Sequence, residues 1–364
     1  MYYKYCYIFH NIISILLSVI YSYNIILYVN LITFMNYFIL DKEDWDKTLE
    51  KWLSSYNIYA SLIDEYSQDY ELLTPGKIPD ISYNKPKPVT PLKSFFLPVK
   101  ENVTSPRSSE KPRIILGTPN CDVVALDILD EIYLDESFND IYYRQRREDT
   151  VLISSDCFGT QEHCHCLSYN IKPYSDEKAD MAIIIYEGSI ILRVISAKGE
   201  SLLSGINEIQ PLTTDGIISF INNKHAETEA MLLHSNKGVP DYKTTGSLLH
   251  DSAEAIWVKY SSTCVSCGAC ATICPTCSCF LLIDKPGFHK VKQMDACQYP
   301  GFERVAGGED ALHQLHNRFR NRYMCKYVWK PAKFNSLACT GCGRCIEACI
   351  GKINKNELFM ELAK

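Results

Sequence analysis

Two runs of cysteine carry the most specific chemistry in this sequence. The first is Cys264-x2-Cys267-x2-Cys270-x3-Cys274, followed directly by Pro275; the second is Cys339-x2-Cys342-x2-Cys345-x3-Cys349. Three thiolates in so tight a loop each reach a different iron of one cubane. The last cysteine of each run, one helical turn further on, faces a neighbouring cluster instead. On that reasoning Cys264, Cys267, Cys270 and Cys349 hold one 4Fe–4S cluster, and Cys339, Cys342, Cys345 and Cys274 hold the other. The loops must bend sharply and aim backbone N–H groups at sulfur, which suits Gly268, Gly341 and Gly343. Zinc sites use CxxC pairs separated by a longer span, so the doubled run favours clusters over zinc. Cys349 is followed by Ile350-Gly351 where the first run has Pro275, a change that touches the loop after the ligand and not the ligand count.

The chain has 17 cysteines in 364 residues. Disulfide frameworks belong to short secreted domains, and cysteines this closely spaced do not pair easily with one another. Metal binding in a reducing, cytoplasmic compartment is the better reading. A further set lies outside the two runs: Cys121, Cys157, Cys164 and Cys166. A third 4Fe–4S cluster is the favoured occupant of this set. Zinc competes, because His163 and His165 interleave with Cys164 and Cys166, and unbound buried thiols are the third option. Cys121 opens a helix, where the dipole should lower its pKa and favour thiolate ligation. Cys277, Cys279, Cys297 and Cys325 fall between the two runs and receive no assigned role.

The elements that must position these residues can be read in outline. Arg113–Gly117 reads as a strand, Asp122–Leu134 as a helix and Thr150–Ser155 as a second strand, a β-α-β pattern. In a right-handed unit the two strands run parallel, so Cys121 and Cys157 emerge at the same carboxyl edge, with Cys164 and Cys166 in the loop beyond. Met181–Ile185 and Ser189–Ile195 flank Glu187-Gly188 and read as a hairpin. A helix after Met35 puts Trp45, Leu49, Trp52 and Leu53 on one face with Asp41 as N-cap, and a proline-punctuated extended stretch follows to about residue 100. Helical segments fill roughly 226–258. The expected fold is α+β: an N-terminal α/β-type domain over residues 35–250, then a ferredoxin-like two-cluster domain with helical elaboration over 251–364.

Residues 1–34 differ from the rest, with no charge between Lys4 and Asp41. Ile12–Phe34 is long enough to span a bilayer but is interrupted by Asn24 and Asn30 and lacks a clear charge flank. We read it as a leader from a start assigned too early, with Met35 as the true start, in preference to a membrane anchor. The net charge of -6 argues against a nucleic-acid binder. The basic stretch Arg318, Arg320, Arg322, Lys326, Lys330 and Lys333 reads first as a solvated face. The sharper alternative is charge placed to stabilise anionic clusters or to dock an acidic partner. No dinucleotide fingerprint, P-loop or acid–base constellation is visible, so no catalytic residue is assigned.

Several local motifs resemble the beta subunit of sulfhydrogenases and the corresponding iron–sulfur subunit of anaerobic sulfite reductases. They are Ser266-Cys267-Gly268-Ala269-Cys270, Cys274-Pro275-Thr276-Cys277-Ser278-Cys279-Phe280, Ala306-Gly307-Gly308 and Cys339-Thr340-Gly341-Cys342-Gly343-Arg344-Cys345. In the N-terminal half Thr90-Pro91-Leu92-Lys93, Asn120-Cys121-Asp122, Tyr142-Tyr143 through Arg147, and Cys164-His165-Cys166 extend the likeness. The resemblance covers roughly 37–355, and departs from the family at Cys325, where histidine is usual, and at His165, where phenylalanine is usual. It implies a protein that relays single electrons between a flavin subunit meeting NAD(P)H and a terminal catalytic subunit (hydrogenase, or sulfite or sulfur reductase). The rival reading is a self-contained reductase of sulfur compounds that uses the extra cysteines.

Overall fold

The computed structural model describes residues 36–65, 67–105 and 111–364. The reading of residues 1–34 as a leader or anchor therefore lies outside the described residues. Among the described residues no helix is long and apolar enough to cross a membrane.

The N-terminal half is organised by one sheet. In chain order its strands are β1 (Tyr37–Asp41), β2 (Asn57–Ile63) and β3 (Gln68–Leu72), with β4 (Lys100–Asn102) contributed elsewhere. Then come β5 (Arg113–Thr118), β6 (Thr150–Ser155), β7 (Met181–Tyr186), β8 (Ser189–Val194) and β9 (Gln210–Pro211). The order across the sheet is β3-β2-β5-β6-β7-β8-β1-β9. The centre is parallel, β2 to β5 to β6 to β7, and both flanks are antiparallel. Strand β5, Arg-Ile-Ile-Leu-Gly-Thr, is buried along its whole length, as a central parallel strand covered on both faces requires. Ile114 and Leu116 pack with Trp45, Leu49 and Ile58 on one face, and Ile115 packs with Leu126, Leu129 and Tyr143 on the other. The hairpin β7–β8 turns at Glu187 and Gly188, both at positive φ, the backbone twist that matches paired strands.

The structure adds to the sequence reading in three places. The expected helix runs from Asn120 to Tyr133, and a second helix, Ile141–Glu148, follows it before β6. That second helix is held at its start by Asp140, whose carboxylate accepts from the Tyr142 and Tyr143 N–H groups. Strands β1, β2 and β3 occupy ground read as a helix and an extended stretch. The helix is real, Lys42–Trp52 with Trp45, Leu49 and Trp52 buried. Strand β3, Gln-Asp-Tyr-Glu-Leu, escaped notice because it is a polar edge strand with no apolar alternation.

The C-terminal half packs helices around an aromatic core of Trp257, Phe319, Tyr323, Tyr327 and Phe359. A long helical segment runs Leu315–Met324, then a π-helical turn Cys325–Trp329, then Lys330–Phe334. Strands β10 (Phe280–Lys285) and β11 (His289–Met294) form a hairpin, and β4 from the N-terminal half pairs with β11. The whole is α+β, mixing helices with mixed sheets.

Candidate metal centre

The two cysteine runs fold into loops of one design. In each, the residue before the second cysteine and the residue after it have positive φ: Ser266 and Gly268 in the first loop, Gly341 and Gly343 in the second. This alternation curls the chain and turns its N–H groups inward, the concave shape that binds anions. Short helices, Ala269–Thr272 and Arg344–Glu347, follow the loops and carry the chain toward Cys274 and Cys349. The positions of Gly341 and Gly343 are enforced by packing as well. A Cβ at Gly341 would lie 2.6 Å from the His165 carbonyl oxygen, and one at Gly343 would lie 2.4 Å from that of His163.

Cys264, Cys267, Cys270 and Cys349 line one cavity, together with Phe319 and Tyr323. Cys274, Cys339, Cys342 and Cys345 line a second, together with Arg322, Lys326 and Lys355. Cys345 borders both, so the two cavities adjoin. Each run thus contributes three thiols to one cavity and its last thiol to the other.

The second cavity contains buried cations and no carboxylate. Lys326 Nζ lies 3.1 Å from Cys274 Sγ and also donates to Thr276 Oγ1 and the Ala338 carbonyl. Arg322 Nη2 donates to the Cys270 carbonyl at 2.9 Å. Burial opposes the charge on Lys326, but the Cys274 and Cys277 sulfurs hold its pKa well above the ordinary lysine range. For Arg322, burial is likewise outweighed by Cys270 and Cys345. Isolated buried cations are costly; beside a thiolate-ligated, net anionic group they are compensated. The donor set therefore fits 4Fe–4S clusters. The basic stretch is consequently not the solvated face first expected: Arg318, Arg322 and Lys326 are buried. Their spacing of one helical turn, interleaved with buried Phe319, Tyr323 and Tyr327, was the available signal for an inward-facing cationic stripe.

Cys121, Cys157, Cys164 and Cys166 come together as the topology requires. Strands β5 and β6 are parallel neighbours, and the thiols gather beyond their carboxyl ends. Cys121, Cys164 and Cys166 pack around Ile171 and Leu232, and burial, reinforced by the Cys166 and Cys164 sulfurs, pushes the Cys157 thiol well up. Lys87 Nζ, 3.6 Å from Cys164 Sγ, is also paired with Glu347 at 2.8 Å. The expected low pKa at Cys121 is overturned. Burial, reinforced by the Asp122 carboxylate and Cys342, pushes this thiol well up, and one helix N-terminus does not offset that.

His165 is fully buried and both ring nitrogens are engaged, Nδ1 with the His163 carbonyl at 2.8 Å and Nε2 with Lys355 Nζ at 2.8 Å. Burial, with the Lys355 ammonium, holds its pKa well below the usual range, so the ring is neutral. It has no free nitrogen for a zinc ion. Among the described residues no group of three or more His, Cys, Asp or Glu side chains converges on a single metal ion.

The N-terminal set abuts the second cysteine loop. His165 N–H donates to the Gly341 carbonyl at 2.8 Å, and Cys342 lies close enough to act on Cys121. Arg344, between Cys342 and Cys345, forms a bidentate pair with Asp122 at 2.5 and 2.9 Å, both side chains fully buried. Cys277, Cys279 and Cys297 line neither cavity; they cluster behind Cys274. Cys325, in the π-helical turn, lines neither.

Residues 263–353 match the family described as "4Fe-4S dicluster domain". Over 311 residues the chain is 26% identical to "Sulfhydrogenase 2 subunit beta" of Pyrococcus furiosus, an alignment covering 82% of this chain and 90% of that protein.

Proposed function

We propose that this chain, a homologue of a sulfhydrogenase beta subunit with a C-terminal 4Fe–4S dicluster domain, relays single electrons inside an anaerobic oxidoreductase complex. In this reading Cys264, Cys267, Cys270 and Cys349 hold one cubane and Cys274, Cys339, Cys342 and Cys345 the next. Cys121, Cys157, Cys164 and Cys166 hold a third. The observation that carries the reading is the contiguity of the three thiol sets. Cys345 is common to the walls of both C-terminal cavities, and Cys342 adjoins Cys121. The clusters supply one-electron redox chemistry. The chain's own residues fix their spacing, exclude water, and set the field through Arg322, Lys326 and Lys355.

The partners are a flavin subunit that meets NAD(P)H and a terminal hydrogenase or a terminal sulfite or sulfur reductase, in the cytoplasm. The N-terminal unit, residues 35–250, and the cluster unit, 251–364, work as one relay. The isolated chain, purified anaerobically, is expected to bleach with dithionite in the visible range and to leave NAD(P)H unoxidised. Addition of a flavin subunit should make NAD(P)H bleach it. NAD(P)H oxidation or sulfide production by the flavin-free chain alone would refute the relay in favour of a self-contained reductase.

A further inference from the structure

The walls of the two C-terminal cavities differ in kind. The first, around Cys264, Cys267, Cys270 and Cys349, carries no charged side chain. The second carries Arg322, Lys326 and Lys355. It also carries two donors that the protein leaves without an acceptor. Among the described residues neither Arg322 Nε nor the Thr340 hydroxyl has a hydrogen-bond partner. Arg322 is 3% exposed and Thr340 1%, so bulk water does not reach them. No unpartnered buried polar atom of this kind lines the first cavity. A buried N–H or O–H without an acceptor is costly, and the acceptors that fit this wall are the sulfurs of a bound cluster.

The two donors reach the wall from different parts of the fold. Thr340 stands in the second loop between Cys339 and Gly341, where the positive φ of Gly341 curls the chain. The residue before that loop, Ala338, is anchored on both sides. Its N–H donates to the Tyr242 hydroxyl at 3.0 Å, and its carbonyl accepts from Lys326 Nζ at 3.0 Å. Arg322 comes from the helix Leu315–Met324 and spends its Nη2 on the Cys270 carbonyl, which leaves Nε.

We propose that Thr340 Oγ1–H and Arg322 Nε–H donate to the cluster of the second cavity and, with the Lys326 charge, make it the higher-potential of the two C-terminal clusters. An electron entering the pair then rests on the cluster of the Cys339 loop. Reduction adds one electron and makes or breaks no bond. It leaves the cluster more anionic, so each donor and cation favours the reduced form. The electron comes from the flavin subunit in the complex, or from dithionite in vitro. The inference rests on the relay reading and deepens it.

One effect works the other way. Cys267 is exposed, whereas Cys274, Cys339 and Cys342 are buried. Water beside the first cluster also favours its reduced form. The donors and cations of the second cavity act at contact and in a surrounding that screens them least, so they outweigh it. Burial draws the Lys355 ammonium below the ordinary lysine range, which leaves Arg322 and Lys326 the larger share. Cys345 borders both cavities and Cys342 adjoins Cys121, so the second cluster is the middle station of the row. A deep middle station keeps one electron in the chain between transfers to either end.

The test is an anaerobic potentiometric titration of the intact, iron-loaded chain, followed by electron paramagnetic resonance. Cys267→Ser marks the signal of the first cluster, and Cys121→Ser with Cys157→Ser marks that of the N-terminal set, which leaves the second cluster's own. The first electron should prefer the second cluster over the first by about tenfold or more, a separation of about 59 mV or more for a one-electron couple. Thr340→Val keeps the shape and removes the hydroxyl. It should cut that preference by about three- to tenfold, the worth of one hydrogen bond, by lowering the second-cluster potential alone. Thr340→Ser should restore it. Arg322→Lys keeps the charge, removes the Nε–H and should act in the same direction, an independent reading of the second donor. The proposal is overturned if the first cluster fills before the second, if the two fill together, or if neither variant lowers the second-cluster potential alone with its iron retained. Any of these with dithionite bleaching intact sinks only this inference, whereas a chain that holds no clusters in the two cavities sinks the relay.

Discussion

Cys264–Cys270 and Cys339–Cys345 each deliver three thiols from seven consecutive residues, whereas Cys121, Cys157, Cys164 and Cys166 arrive from two strand ends and a loop. The first pair of sites is built locally. Each loop carries two residues at positive φ, and its ligands are in place once the loop has curled. The N-terminal set exists only after β5 and β6 have paired, and it leans on the second loop through His165 and Asp122. A local site should thus tolerate damage elsewhere, while a site assembled by topology should fail whenever its scaffold or its neighbour moves.

The severest break would be Gly343→Ala. Its Cβ would enter the His163 carbonyl at 2.4 Å, from a backbone at φ 80 that alanine adopts poorly. Because the clash is with backbone on the N-terminal side, iron should be lost from the second cavity and the N-terminal set together, with the Cys264 loop keeping its cluster. Iron per chain should fall from about twelve to about four. Retention of about eight would show that the two sites are less interlocked than argued.

Next in size is the double variant Cys121→Ser with Cys157→Ser. It should remove only the N-terminal cluster, taking iron from about twelve to about eight, with the dicluster spectrum intact. An unchanged iron count would eliminate the third cluster. The converse variant, Cys349→Ser, should disturb the cluster of the Cys264 loop and spare that of the Cys339 loop; magnetic spectra of the two clusters would register a reversal.

The link between the regions can be cut without touching a ligand. Asp122→Asn leaves the Arg344 guanidinium buried without its carboxylate, which should cost about 3–5 kcal/mol of stability, read as a lowered denaturation midpoint. Replacing both partners with apolar residues, Asp122→Leu with Arg344→Met, should recover most of that loss. A single variant as stable as the parent would mean that the pair does not join the halves. The mildest perturbation is Lys326→Met. Loss of a cation 3.1 Å from Cys274 Sγ should shift the potential of the second-cavity cluster downward by on the order of 50–100 mV, with iron retained. A potentiometric titration that finds no shift would remove Lys326 from the electrostatic account.

How much was legible follows the same division. The grouping of the eight cysteines of the two runs around two adjoining cavities could be anticipated from spacing, because loop curvature and a helical turn are short-range geometry. The hairpin turn Glu187-Gly188 was legible for the same reason. The N-terminal set could be grouped only by assuming a right-handed β-α-β unit. The inserted helix Ile141–Glu148 did not disturb that grouping, since β5 and β6 still pair in parallel. The Cys121 thiol was misjudged because a helix N-terminus can be read from sequence, whereas burial beside Asp122 cannot.

The sequence by itself determined the chemistry: thiols at cubane spacing, twice over, in a chain without a nucleotide fingerprint. The tertiary structure alone decided which residues serve that chemistry from a distance. Arg318, Arg322 and Lys326 read first as solvent-facing charges, and packing turned them inward, Arg322 onto the Cys270 carbonyl and Lys326 to 3.1 Å from Cys274 Sγ. Arg344 and Asp122, far apart in the chain, became one buried pair. The physical reason is range. Ligand spacing is fixed by bonds and dihedrals over a few residues, whereas burial and charge pairing depend on segments that meet only when the chain has folded.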